Sequence, residues 1–328
     1  MRVSLTACLP GCAAVALLAR AEADDWPVRA VPGGFAVQVW GGEVRLSGLE
    51  LRLEAADACQ LFVLQEAMTL LFEAAGARPV WERVATGDLP PTLSLLRVEG
   101  VRDASPSFRR VRLTGNVSRF ANGGLHVRLL LPPEGRPPEW PVIDASGRTR
   151  WPEGAAALHA PVYTIRALDP RQGWLEIDIF QHPGGRTARW SREVQPGAVV
   201  GVMGPGGGWI PEAGFCAFFG DETALPAIAR ILAALPPTTR GAAHLSVRPS
   251  DLAFLPRPPG LSLACVARPR LLESLERLDL PDADRLVWVA GDRGLADAAR
   301  DRLRGRGLHK REMSVAAYWQ DQAAESRA

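Results

Sequence analysis

Apolar residues alternate along the first part of the chain and then fall into helical spacing. Val3 to Thr6 reads as a strand, and the run from Ala13 to Leu18 as a buried helix. Phe35, Val37 and Val39 alternate, Gly41-Gly42 interrupts, and Val44, Leu46, Leu49, Leu51 and Leu53 continue the meander. Asp57 stands where a helix cap belongs. Leu61, Leu64, Met68, Leu71 and Ala75 follow as a stripe, and Gly76 stops it. Residues 1–85 therefore read as a small α+β domain with no catalytic constellation.

Residues 86–106 carry Gly87, Pro90, Pro91 and charged residues, the composition of a linker or a domain start. From Phe108 the chain turns strand-rich through FRRVRLTG, GLHVRLLLPP, VYTIRALD, LEIDIFQH and AVVGVMGP. Short strands at close spacing, parted by glycine and proline turns, predict an antiparallel barrel over 100–209. Trp140 to Glu153 is a polar excursion between two of them.

After Gly208 the pattern changes. Phe215 to Gly220 is continuously apolar and runs into DETALPAIARILAAL, whose apolar positions repeat as in a helix. HLSVRP, LSLACVA, a helix near Leu271 to Leu278, RLVWVAGD and the helix LADAARDRLRGRG follow. Apolar strands alternating with helices predict a parallel βα sheet over 210–328. Ligands bind such sheets beyond the carboxyl ends of the strands, where Gly220 to Thr223 and Gly291 to Gly294 stand. The predicted fold class is a multidomain α+β and α/β protein: a small accessory domain, a β-barrel and a parallel βα sandwich.

Composition narrows the function. The 328 residues are 47% hydrophobic and 23% charged, with a formal net charge of +2, so nothing demands nucleic acid as a partner. Arginine far outnumbers lysine. Five scattered cysteines form no disulfide framework, and the Cys8–Cys12 pair has no second pair to complete a metal site. Pro10 breaks the early apolar run and Arg20 closes it, so a strand and helix explain these residues better than an export signal. No membrane insertion and a cytoplasmic location are the expectations.

Several groups carry candidate chemistry. Gly204, Gly206, Gly207 and Gly208 suit either an anion nest or a linker, but not a Walker motif, because GKS or GKT is absent. Asp221 or Thr223 can cap the helix that follows their strand, with Glu222 between them. Arg293 follows the VWVAGD strand as a candidate contact to a cofactor phosphate or substrate. Arg300, Arg302, Arg304, Arg306, Lys310 and Arg311 form a basic run. A solvated helix face is its first reading and an anionic rim, with Arg304 and Lys310, its second.

The order of FRRVRLTG, LHVRLLLPP, YTIRALD, DIFQHPGGRTARW, GPGGG, GDETALPAIARIL, VWVAGD and a terminal YWQ resembles the siderophore-interacting proteins. These are FAD-binding ferric-siderophore reductases of the ferredoxin–NADP reductase type. The likeness covers roughly Phe108 to Trp319. LRLEAADACQL and its helix resemble, more weakly, a small domain often fused ahead of them. The resemblance implies FAD along the barrel, electrons from NADPH or NADH or a redox protein such as ferredoxin, and a ferric siderophore or ferric chelate as acceptor. It also admits a flavin oxidoreductase with another acceptor, or a binding scaffold whose flavin site has decayed.

Residue by residue, Tyr163 and Thr164 match the family's aromatic and hydroxyl pair at the flavin. Arg166 matches its second arginine, and His182 its flavin-site histidine. Gly185, Arg186, Thr187 and Ala188 match a turn whose amides meet the pyrophosphate at a helix N-terminus. Gly206 and Gly207 stand in the glycine run, and Asp221 and Thr223 in a turn near the flavin. Tyr318 and Trp319 match the closing terminal aromatics. Pro161 departs from the pattern, occupying the place of an arginine that clamps phosphate, and proline has no side-chain or amide donor. Arg166, Arg186 or Arg189 is the expected compensation.

Overall fold

The computed structural model describes residues 2–9, 13–39, 42–253 and 255–320. Cys12, Pro10 and Gly41, named above, lie outside the described residues. The chain forms two compact units: residues 1–94, 129–160 and 201–203, and residues 95–128, 161–200 and 204–328.

The first unit is built on a six-stranded sheet. Its elements are β1 (Val3–Cys8), α1 (Ala13–Ala23), β2 (Val28–Val31), β3 (Gly34–Val39), β4 (Gly42–Ser47), β5 (Glu50–Ala55), α2 (Ala58–Ala74) and β6 (Val80–Trp81). The strand order is β2-β3-β4-β5-β1-β6. Val44, Leu46, Leu51 and Leu53 face one core with α2, while Arg29, Glu43 and Arg45 pair on the strands' exposed side. Asp57 caps α2 as expected, accepting from the Gln60 amide at 2.8 Å. Of the expected stripe, Leu64 and Met68 lie in the core and Leu61 and Leu71 pack against it. Phe62, Leu64, Gln65, Met68, Thr69 and Phe72 point inward, whereas Ala75 is exposed. Leu49 also leaves the predicted alternation, at 59% exposure in the β4–β5 turn.

Within the polar excursion, β10 (Val142–Ile143) and β11 (Thr149–Arg150) form a small hairpin that docks on α2. Glu66 accepts from the Thr149 amide at 2.6 Å, and Glu73 pairs with Arg148 at 2.9 Å.

The barrel consists of β7 (Leu93–Ser105), β8 (Phe108–Thr114), β9 (His126–Leu130), β12 (Val162–Asp169), β13 (Trp174–Phe180) and β14 (Val199–Gly206). It closes in the order β12-β13-β8-β7-β14-β9. Leu175, Ile177 and Ile179 of β13 are fully buried, while Glu176 and Asp178 on its other face meet arginines from β8. Of the two readings of 86–106, linker or domain start, β7 fits the domain start. Its register shifts at Val98/Gly100 and Asp103/Ser105, which breaks the alternation that would have marked it as a strand. The short helix α3 (Arg186–Glu193) follows β13.

The parallel sheet follows with β15 (Phe215–Asp221), α4 (Leu225–Ala234), β16 (Arg240–Ser246), α5 (Pro249–Leu252), β17 (Leu261–Cys265), α6 (Leu271–Arg277), β18 (Arg285–Asp292), α7 (Arg293–Gly305) and β19 (Met313–Trp319). Its order is β17-β16-β15-β18-β19. Phe218 and Trp288 pack toward α4, and Phe219 and Val289 toward α6 and α7. Burial on both faces explains the unbroken apolar runs.

Candidate active site

The carboxyl ends of β15 and β19 meet the outer face of the barrel at a cavity of about 550 Å³. Phe108 and His126 line it from β8 and β9, Pro161 to Thr164 from the start of β12, and Asp178 and Phe180 from β13. His182 follows on the same wall. Glu222, Thr223 and Pro226 come from the turn after β15, and Ala316, Ala317 and Tyr318 from β19. The structure thus brings Tyr163, Thr164, His182 and Thr223 into one cavity wall.

Tyr163 is largely buried, and burial pushes its phenol up while a hydrogen bond with Thr187 opposes that shift. The same contact sets the start of α3 beside the cavity. Gly185 precedes α3 without a side-chain cap, so the first amides of Arg186, Thr187 and Ala188 belong to an uncapped helix end. A Cβ on Gly185 would stand 2.6 Å from His182 Nε2, so only glycine lets the imidazole fold over this turn. His182 stacks on Phe180 with centroids 5.8 Å apart.

Arg166 is placed differently from expectation. It lies beside Asp178 at 3.8 Å and lines a smaller cavity with Arg110 and Asp251. Arg110 grips Asp178 with two hydrogen bonds of 2.6 and 2.7 Å, and Arg112 bonds Glu176. The Asp178 hydrogen bond raises the Arg110 guanidinium's pKa, against the effect of burial. Burial, and then Arg110 itself, lowers that of Arg166. Arg166 is the weaker-held cation of the pair.

The glycine run corrects another expectation. Gly206 and Gly207 do not line the large cavity; the run closes on the start of β9. The Gly207 carbonyl accepts from the Leu125 amide at 2.8 Å, and a Cβ on Gly208 would meet His126 Nε2 at 3.0 Å. Gly207 and Gly208 hold φ of +57° and +67°, left-handed values that favour glycine.

Asp221 organises its turn and does not cap the helix. Its Oδ1 accepts from the Thr223 amide at 2.9 Å and hydroxyl at 2.6 Å, whereas α4 begins at Leu225 behind an uncapped Ala224. Asp221 Oδ2 accepts from the Trp319 indole at 2.8 Å. Arg268 lies 4.6 Å over the Trp319 ring and pairs with Asp292 at 2.8 Å. Burial raises the pKa of the neighbouring Glu222.

Arg293 begins α7 at this carboxyl edge and donates to Gln320 at 3.1 Å. Arg304 and Lys310 are exposed at and beyond the other end of that helix, about 18 Å away at 1.5 Å per residue, so the structure does not bring them to the cavity. Sequence reasoning missed His126, Arg230 and Arg268. His126 reads as an ordinary strand residue in GLHVRLLLPP, and its only signal is proximity in space.

The cavity suits a flavin ring on the structure's own terms. It offers aromatic walls, hydroxyls at Tyr163 and Thr164, and an uncapped helix end for phosphate.

Residues 97–209 match the siderophore-interacting FAD-binding domain, and residues 215–322 the siderophore-interacting protein family. The NADPH-dependent ferric-chelate reductase of Escherichia coli is 27% identical, over 69% of this chain and 91% of that protein. Ferric vibriobactin reductase ViuB of Vibrio cholerae is 30% identical, over 66% of this chain and 84% of that protein. The mycobactin import ATP-binding/permease protein IrtA of Mycolicibacterium thermoresistibile is 30% identical, but this chain spans only 20% of its length. Among solved structures, a siderophore utilization protein from T. fusca superimposes with a TM-score of 0.63 at 31% identity, over 70% of this chain and 93% of that one.

Proposed function

Since the chain belongs to the siderophore-interacting protein family, we propose that it reduces ferric iron held by a siderophore or other chelate, with FAD as cofactor and NADPH as electron donor. The observation that carries this reading is the cavity where Tyr163, Thr164, His182 and Tyr318 converge beside the uncapped start of α3. Bound there, FAD would accept a two-electron hydride and supply the single electrons that Fe(III) takes.

The chain's own residues bind and orient. Tyr163 and His182 wall the ring, and Thr164 offers it a hydroxyl. The amides of Arg186, Thr187 and Ala188, with the Arg186 guanidinium, hold the pyrophosphate. Arg268 and Arg293, at the carboxyl edge of the sheet, meet the phosphates of the nicotinamide nucleotide. Trp319 and Tyr318 close that edge. Residues 100–209 serve as the FAD-binding barrel, 210–328 as the nucleotide-binding layer and 1–85 as an accessory domain. No described helix is long and apolar enough to cross a membrane, and action in the cytoplasm is part of the proposal. Ferredoxin is the alternative donor.

The test is anaerobic. FAD-loaded protein is mixed with NADPH, then with a ferric siderophore, while a ferrous-specific dye is monitored. Bleaching of the flavin, its recovery on adding iron, and dye capture support the reading. A protein that binds no FAD, or a reduced flavin that iron leaves bleached, overturns it.

A further inference from the structure

Three side chains distant in sequence form an unbroken hydrogen-bonded chain in the cavity wall. His126 Nδ1 lies 3.2 Å from Thr164 Oγ1, and His126 Nε2 lies 3.0 Å from the Tyr318 hydroxyl. The imidazole and phenol rings meet edge to face, 5.3 Å apart at 85°. The Gly207–Gly208 turn lies against the imidazole: a Cβ on Gly208 would stand 3.0 Å from Nε2 and one on Gly207 3.5 Å from the ring. Arg230 donates from α4 to the carbonyls of Leu125 and Ile165, at 3.2 and 3.1 Å. Those two residues adjoin His126 and Thr164, so one guanidinium pins both strands.

Burial, followed by the positive charge of Arg230, depresses the His126 pKa below its ordinary value. The imidazole is therefore neutral and carries one N–H, so one ring nitrogen donates and the other accepts. Burial also holds the Tyr318 phenol protonated. A phenol is a stronger acid than an aliphatic hydroxyl, and an unprotonated imidazole nitrogen is the best acceptor in the group. Tyr318 thus donates to Nε2, which leaves Nδ1–H to donate to Thr164 Oγ1. With its oxygen engaged from that side, the threonine turns its own hydrogen toward the cavity.

We propose that His126 is a positioning residue that fixes the Thr164 hydroxyl as a hydrogen-bond donor into the cavity, and that the Gly207–Gly208 turn exists to let the chain close on its ring. The consequence for the ligand rests on the flavin reading above: this wall selects a ring that presents an acceptor atom to Thr164. The tautomer itself is a property of the protein without cofactor, so the two readings fail separately.

Nitrogen-15 NMR of the histidine rings in FAD-free protein, assigned by comparison with His126→Gln, is expected to show His126 neutral with its proton on Nδ1. A proton on Nε2, or an imidazolium at neutral pH, overturns the proposal. Tyr318→Phe removes the phenol donor and should shift the His126 tautomer toward Nε2–H; an unchanged tautomer also overturns it. FAD titration adds a second readout. Thr164→Val should weaken binding about tenfold, the worth of one hydrogen bond, while Thr164→Ser keeps it. His126→Phe should weaken binding similarly, and the double variant His126→Phe/Thr164→Val no more than Thr164→Val alone. Losses that multiply mean that His126 does not act through Thr164. If the parent protein binds no FAD but shows the Nδ1–H tautomer, the flavin reading falls and the positioning stands.

Discussion

The Trp319 indole donates a 2.8 Å hydrogen bond to Asp221 Oδ2, tying the last residue of β19 to the last residue of β15. Asp221 is 2% exposed, so water cannot replace a lost donor. Trp319→Phe keeps a ring beneath Arg268 but removes the donor. We expect a loss of about 2 kcal/mol in stability, the range for a hydrogen bond to a charged group. Urea unfolding measures it, and a variant as stable as the parent shows that the bond contributes nothing.

Pro161 lines the large cavity just ahead of β12, where the family pattern has arginine. Pro161→Arg should tighten FAD binding about tenfold, since a charge-assisted hydrogen bond to phosphate is worth about 1.5–3 kcal/mol. Quenching of flavin fluorescence reads the affinity. An unchanged value means that the Arg186 end of the site already meets the phosphate need.

Arg110 and Arg166 flank Asp178, but only Arg110 holds it with two hydrogen bonds. Arg110→Ala leaves the buried Asp178 with only Arg166, which makes no hydrogen bond to it, and should cost about 3–5 kcal/mol. Arg166→Ala removes a cation whose main neighbours are another cation and an aspartate already gripped, and should cost far less. FAD affinity should stay within about threefold in Arg166→Ala, well below one hydrogen bond's worth. A large loss of affinity would restore Arg166 as a phosphate ligand.

Burial lowers the pKa of both His126 and His244, the former with help from Arg230. Unfolded histidine takes a proton near pH 6.5, while these folded rings resist it. The unfolded state therefore binds more protons as pH falls. The stability they contribute is complete above about pH 7 and is lost as pH falls toward the lowered folded values. Urea melts across this window should show stability falling with acid, and replacing His126 should flatten the slope. The lowered Asp292 carboxyl, where Arg268 and backbone amides outweigh burial, acts separately below about pH 4.

Parts of the fold could be read in the chain because their signals are local. β13 alternates apolar with charged residues, and the interiors of β15 and β18 are apolar because helices cover both faces. β7 was illegible because its two register shifts scramble the period. β19 sits at a sheet edge with partly exposed residues, so no apolar run marks MSVAAYW as a strand and only its terminal aromatics stood out. The α2 stripe was legible in Leu61, Leu64, Met68 and Leu71, which lie in or against the core, but not in Phe62, Gln65, Thr69 and Phe72, whose burial depends on what packs around the helix.

The candidate site divides the same way. Tyr163, Thr164 and His182 were legible as a family motif, and the α3 start as a glycine turn before a helix. The glycine run was legible only as an anion nest or a linker; in the fold Gly207 and Gly208 lie against His126, while a Cβ on Gly206 would meet open space. Arg304 and Lys310 were only a basic run until α7 carried them away from the ligand edge of the sheet.

By itself, then, the sequence determined the order of elements, the succession of a strand-rich stretch and a βα stretch, and the motif that points to flavin. These follow from hydrophobic period, turn residues and capping, which act over a few residues. Only the tertiary structure decided which polar groups share a space. His126 meets Tyr318 across 192 residues, and Asp221 meets Trp319 across 98. Such meetings depend on strand register and on how one layer packs against the next. Burial then removes water from the meeting point, so that a single hydrogen bond sets which atom donates.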